Sequence, residues 1–266
     1  MRTQQKEPYH LSVTEVTGAV VAEEQIQRAC NRYYWAGKYC TDADVLEISC
    51  GSGPGLGYLA GLAHSFVGGD FSTGNIELAR AHYGARIDLH QFDAQALPYR
   101  DESFDTVVLL ESIYFIPSAE DTIRECRRVL RSGGKLAITM ANKDLFEFHP
   151  SDHAYRYFGV SELNEVLTGL GFVAEFYGDT PVGELSVRQK ATRPLKAIAA
   201  RSRIIPQTTK GKVLLRRLVF GRLLEMPAEI DATTRPVIEP NPLKSDRPDK
   251  DHKVIFCLAT KQGKPK

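Results

Sequence analysis

Nowhere in this chain do about 18 apolar residues run uninterrupted, so no membrane-crossing helix is expected. The opening MRTQQKEPYHLSVTEV lacks the apolar core of a secretory signal, and the expectation is a soluble, cytoplasmic protein. An excess of one charge is missing too. Lysine and arginine number 34 against 33 acidic residues, a net charge of +1, so a nucleic-acid or membrane partner has to be argued from a local patch. The five cysteines, Cys30, Cys40, Cys50, Cys126 and Cys257, show no CxxC spacing and are odd in number. They read as reduced, mostly buried thiols, and neither a disulfide frame nor a metal site is expected. Internal repeats are also lacking.

What is present is an alternation. At 266 residues and 42% hydrophobic, the chain can bury one large core, with room for an insertion. Short runs rich in β-branched or apolar residues predict strands at 45–48, 65–69, 87–92, 104–110 and 135–141, and helical spacing predicts helices over 55–63, 73–83 and 119–130. Strand then helix, repeated, predicts a doubly wound α/β sheet of parallel strands. Ligands of such sheets bind beyond the carboxyl ends of the strands, where strand order reverses. Attention therefore falls on the first such loop, CGSGPGLG, Cys50 to Gly57.

Glycines there free the backbone to turn sharply beneath a ligand, and the helix that follows directs its partly positive N-terminus at it. A dinucleotide fingerprint is not complete. After Gly51 and Gly53 the third position is Leu56, and after Gly53 and Gly55 it is Tyr58. The Gly-Lys-Ser or Gly-Lys-Thr of a phosphate loop is absent as well. Instead an acid, Glu47, stands four residues before Gly51, awkward for pyrophosphate and well suited to a cation.

The stretch EISCGSGPG resembles the first motif of the class I S-adenosylmethionine-dependent methyltransferases, of the small-molecule type typified by ubiquinone biosynthesis. VGGDFST, QFDAQALPYRDESFDTVVLLESIYFIP and CRRVLRSGGKLAI follow in the family's order, so that the resemblance spans about 36–177. It implies a Rossmann-like, seven-stranded, mostly parallel sheet with an antiparallel last strand. It also implies the cofactor S-adenosyl-L-methionine and a small-molecule methyl acceptor. On the cofactor, the resemblance sets amides of Gly51 and Gly53 toward the carboxylate, Glu47 toward the ammonium and Asp70 on the ribose hydroxyls. Phe71 flanks the adenine, Asp93 meets its amino group, Ala94 supplies a backbone amide and Glu111 faces the site. Each has a plain alternative: Asp70 as the cap of the next helix, Asp93 as a turn aspartate, Glu111 as a capping or solvated carboxylate.

Methyl transfer from a sulfonium asks mainly for alignment, and a base is needed only where the acceptor must lose a proton. Relatives often carry a histidine just after the fourth strand, where this chain has Tyr114 and Phe115. The candidates for a base or pocket residue are therefore His149, His153 and Tyr114, against readings as loop histidines and a packing aromatic. RACNRYYWAGKYC predicts a helix that is either a lid carrying Tyr33, Tyr34 and Trp35 or a plain core helix.

The expected organisation is an N-terminal helical lid over 1–43, a cofactor-binding core over 44–180, a basic inserted helical cap over 181–250 and a closing strand and tail over 251–266. Between Leu185 and Leu224 stand eleven lysines and arginines and no acid. Such asymmetry points to an anionic acceptor or to peripheral membrane contact, while the plain reading is packing with arginines in solvent. No nucleic-acid partner is expected, since the Asn-Pro-Pro-Tyr signature of many base methyltransferases is absent. The acceptor atom is expected to be an oxygen or carbon nucleophile, on a sugar, a metabolite, or a lipid or quinone. The alternatives are a non-catalytic S-adenosylmethionine-binding protein and, opposed by the broken fingerprint, a nicotinamide oxidoreductase. Oligomeric state is not legible.

Overall fold

The computed structural model of the chain describes residues 17–146, 148–182 and 222–263. Of the basic stretch 185–224, residues 185–221 lie outside the described residues, as do residues 1–16 of the N-terminal segment. The expected helical cap therefore falls largely outside them.

A short strand β1 (Val20–Ala22) leads into helix α1 (Glu23–Gly37), and the sheet then begins with β2 (Asp44–Ile48). Helix α2 (Leu56–Leu62), strand β3 (Ser65–Asp70), helix α3 (Thr73–Tyr83) and strand β4 (Asp88–Gln91) follow. The second half runs β5 (Phe104–Leu110), α4 (Ala119–Val129), β6 (Leu130–Ala141), α5 (Val160–Gly169) and β7 (Phe172–Pro181), then β8 (Leu223–Glu225), β9 (Asn241–Leu243) and β10 (His252–Lys261). The main sheet has the order β4-β3-β2-β5-β6-β10-β7-β9, with β2 to β6 parallel and β10 antiparallel to both its neighbours. This is the doubly wound sheet with an antiparallel last strand that the sequence predicts. The three-residue β9 adds an eighth strand at the edge, while β8 pairs only with β1.

The central strands are buried on both faces, and alternate residues serve opposite layers. Leu46, Ile48, Val107 and Leu109 pack with Ile123, Cys126 and Leu163 from α4 and α5, while Val45, Val108 and Leu110 pack with Tyr34, Trp35 and Ala36 from α1. Trp35 lies 4.9 Å from the Phe256 ring centroid, and Tyr33, Tyr34 and Trp35 are each no more than 4% exposed, so α1 is part of the core. All five cysteines are free and buried. Ser72 and Ser118 start α3 and α4 by accepting from the amides of Asn75 and Asp121. Strand order reverses between the parallel neighbours β2 and β5, which places the ligand crevice between the loop after Ile48 and the turn after Leu110.

Candidate functional site

The loop after β2 is held from several sides. Gly53 has φ +74°, and a Cβ there would stand 2.3 Å from Leu56 Cδ1, so both backbone and space require glycine. Tyr83, from α3, donates its hydroxyl to the Gly53 carbonyl at 2.6 Å. The amide of Gly51 donates to Asp70 Oδ2 at 2.9 Å, and that of Gly53 to the Cys50 carbonyl at 3.1 Å. Both amides are thus spent within the loop, and the two glycines serve its shape; the resemblance had aimed those amides at a ligand carboxylate.

Asp70 is 8% exposed at the end of β3. Besides Gly51 it accepts from the Ser72 amide at 2.8 Å and the Asn75 side chain at 3.2 Å. Three of about four acceptor directions on the carboxylate are taken, leaving room for one hydroxyl. Burial raises its pKa, and these hydrogen bonds pull it back. The cap of α3 is Ser72 rather than Asp70. Beside it the ring of Phe71 is 72% exposed.

Glu47 differs. It is 1% exposed, its Oε1 accepts from the Tyr33 hydroxyl at 3.1 Å, and its Oε2 is buried with no partner among the described residues. Burial pushes its carboxyl up to about 8, against the pull of the Tyr33 hydrogen bond and the Arg32 charge. An orphaned buried carboxylate oxygen is costly unless a ligand completes it. On the β4 side, Asp93 Oδ1 accepts from the Gln95 amide at 2.9 Å and from its side chain, an aspartate turn beside the buried Ala94.

Across the crevice, Glu111 follows β5 with φ +52°, unusual for a residue with a side chain. Its Oε2 accepts from the Tyr114 hydroxyl at 2.9 Å, while Oε1 and the neighbouring Ser112 Oγ are buried without partners among the described residues. Burial foremost, then the Glu111 charge, hold the Tyr114 phenol well above its usual range, so it stays a donor. Its ring stacks on Tyr157 at 4.6 Å, its carbonyl accepts from the Tyr155 amide, and Phe148 meets Tyr157 edge-on. The segment after β6 thus folds over Tyr114, as family topology implies, but His149 and His153 on it are both exposed. The structure gathers Glu47, Asp70 and the glycine loop at one side of the crevice and Glu111 with Tyr114 at the other.

Sequence reasoning missed Arg32, Tyr157 and what Tyr33 touches. Arg32, 6% exposed, acts on both Glu47 and Tyr114. The Tyr33 contact to Glu47 and the stacking of Tyr157 on Tyr114 are the other two. A buried arginine on an apolar helix face was the one signal available.

Residues 46–138 match the methyltransferase domain family. The matched residues and the fold are similar to those of S-adenosylmethionine-dependent methyltransferases. A probable S-adenosylmethionine-dependent methyltransferase of Mycolicibacterium smegmatis is 32% identical over 145 residues, 51% of this chain and 54% of that protein. A phthiotriol/phenolphthiotriol dimycocerosates methyltransferase of Mycobacterium ulcerans is 41% identical over 98 residues, 36% of each chain. The chain thus spans about half, or less, of the curated relatives it matches. A Thermotoga maritima S-adenosylmethionine-dependent methyltransferase structure superposes with TM-score 0.56 at 16% identity over 90% of this chain and 92% of that one, a likeness of fold. Among the described residues no helix is long and apolar enough to cross a membrane.

Proposed function

We propose that this chain transfers a methyl group from S-adenosylmethionine to a hydroxyl of a small, lipid-like acceptor. The partnerless Oε2 of Glu47 beside the glycine loop carries the cofactor half of this reading, because a buried carboxylate oxygen there fits an ammonium and opposes a phosphate. Asp70 offers its remaining acceptor direction to the ribose, and Phe71, Asp93 and Ala94 border the adenine. Bound there, the cofactor supplies a methyl group on a sulfonium with a neutral thioether as leaving group. The protein's task is then alignment and exclusion of water.

On the acceptor side, Glu111 Oε1 is the base that takes the hydroxyl proton. Tyr114, held protonated, fixes the other oxygen of that carboxylate. A buried carboxylate with a free oxygen suits this role better than the exposed His149 and His153, which stand as rim residues of the same segment. The lipid-like acceptor is supported by the Mycobacterium ulcerans relative, a phthiotriol/phenolphthiotriol dimycocerosates methyltransferase, and by the aromatic cover of Tyr114, Phe148 and Tyr157. In this reading the lysines and arginines of the stretch 185–224 receive an anionic group of the acceptor or a membrane surface.

Calorimetric titration with S-adenosylmethionine and, separately, with NAD tests the proposal. Binding of the first alone, lost in Asp70→Ala, is the expected result, followed by transfer of labelled methyl to hydroxylated lipids. Folded protein that binds no S-adenosylmethionine would refute it.

A further inference from the structure

Two separate contacts single out Tyr33, a residue to which neither the family match nor the relatives give a role. Its hydroxyl donates to Glu47 Oε1 at 3.1 Å. Its ring lies against the glycine loop so closely that a Cβ on Gly55 would stand 2.4 Å from its carbons. The ring has little freedom to move. On either side of it in α1, the Tyr34 hydroxyl donates to the Asp231 carbonyl at 2.6 Å, and the Trp35 ring packs on Tyr39, Tyr177 and Phe256. Tyr33 therefore touches at once the acid and the loop between which the amino-acid end of the cofactor belongs.

We infer that Tyr33 is a positioning residue for the cofactor's ammonium: its hydroxyl ties down one oxygen of Glu47 so that the other, Oε2, is presented to the ligand. The inference rests on the S-adenosylmethionine reading above. The physical reason is that a carboxylate sealed from water keeps its charge only where donors support it. Without the Tyr33 hydroxyl, the buried acid at 47 would hold its proton more tightly, and a neutral acid offers an ammonium far less. The groups facing this carboxylate are Arg32 and Tyr33 from α1, Cys40 just after it, Cys50 in the loop and Tyr83 from α3. Burial keeps the thiols and phenols among them neutral, since all are raised, which leaves Arg32 as the one positive charge in the set.

Two probes separate this role from a merely structural one. S-adenosylhomocysteine carries the ammonium; 5′-methylthioadenosine keeps the adenine, ribose and thioether but lacks the amino-acid end. The Tyr33→Phe protein, its fold checked by thermal melting, is expected to bind S-adenosylhomocysteine about tenfold more weakly at pH 7 and 5′-methylthioadenosine within about twofold of wild type. The tenfold gap should narrow as pH rises past about 8, where the wild-type carboxyl ionises, and close only once the variant's carboxyl, held more tightly, has ionised too; the ligand's own ammonium titrates equally for both and cancels from the ratio. In a Glu47→Gln background, where no buried charge needs support, Tyr33→Phe should cost no further affinity. That pair also serves if the single variant unfolds.

Equal weakening of both probes, or an additional loss in the Glu47→Gln background, would show that Tyr33 only props up the fold. Unchanged affinity for S-adenosylhomocysteine would overturn the inference as well. Wild-type protein that binds neither probe sinks instead the cofactor reading on which the inference rests.

Discussion

The two walls of the crevice are built from different materials. On the cofactor side the chain is held by hydrogen bonds: Gly51 to Asp70, Tyr83 to Gly53, and the Ile230 amide to the Pro54 carbonyl. On the acceptor side the segment after β6 adds rings to its backbone bonds, with Tyr157 stacked on Tyr114 and Phe148 edge-on to Tyr157. Directional bonds fix atoms for one ligand of known shape, whereas stacked rings present a surface that tolerates several. A shared cofactor and a variable acceptor call for this division. Each wall also carries one carboxylate with a free oxygen, Glu47 and Glu111, and the two should respond to mutation in opposite ways.

Breaking the cofactor wall should have the largest effect. Asp70→Ala deletes three hydrogen bonds and leaves two backbone amides without their acceptor. Affinity for S-adenosylmethionine is expected to fall at least about 100-fold, and unfolding stability by about 2–4 kcal/mol, as read by calorimetry and denaturant melts. Retained affinity would mean that the loop is shaped without Asp70 and that the ribose is held elsewhere.

Glu47→Gln sharpens the contrast, because it should bind worse while standing firmer. The folded protein holds the Glu47 proton up to about pH 8, whereas a free carboxyl releases it near 4.5. Between those values the native state binds more protons than the unfolded chain, so wild-type stability falls as pH rises through that window. The amide carries no such penalty. The melting temperature of Glu47→Gln should therefore match wild type near pH 4.5 and exceed it by a growing margin up to about pH 8. A constant margin at every pH would show that the carboxylate is not the source.

Much of the cofactor wall was legible in the sequence, for a physical reason. Its parts are local: an acid four residues before a glycine loop, and an aspartate at the end of the next strand. The strand and helix patterns likewise marked Thr73–Tyr83 and Phe104–Leu110 at their observed bounds. Spacing could not say that Gly51 and Gly53 turn their amides inward, since that depends on Asp70 arriving from another strand. Nor could it pair Tyr33 with Glu47 or stack Tyr157 on Tyr114, contacts set by how α1 and the segment after β6 fold back on the sheet. The eighth strand, Asn241–Leu243, was illegible because a three-residue edge strand with a proline carries no periodicity.

On the acceptor wall, Glu111→Gln should leave the affinity for S-adenosylmethionine within about threefold of wild type and lower methyl transfer to a hydroxyl acceptor by about 100-fold, the low end of what a general base supplies. A large loss of cofactor affinity would move Glu111 to the other wall. The φ of +52° at this residue predicts further that Glu111→Gly folds and yet fails to transfer methyl, separating the backbone's need from the carboxylate's.

The smallest effects belong to the rim. His149 and His153 are exposed, and replacing either with alanine should shift stability by no more than about 0.5 kcal/mol and leave cofactor affinity unchanged. What such a variant does to methyl transfer decides between two bases. A histidine base would make transfer disappear in the alanine variant. The Glu111 carboxylate beside Tyr114 depends on neither ring, and the pH profile should survive the loss of both histidines. Transfer that persists in the doubly substituted protein with its pH profile intact would leave Glu111 as the base, and transfer lost with either imidazole would take that role from it.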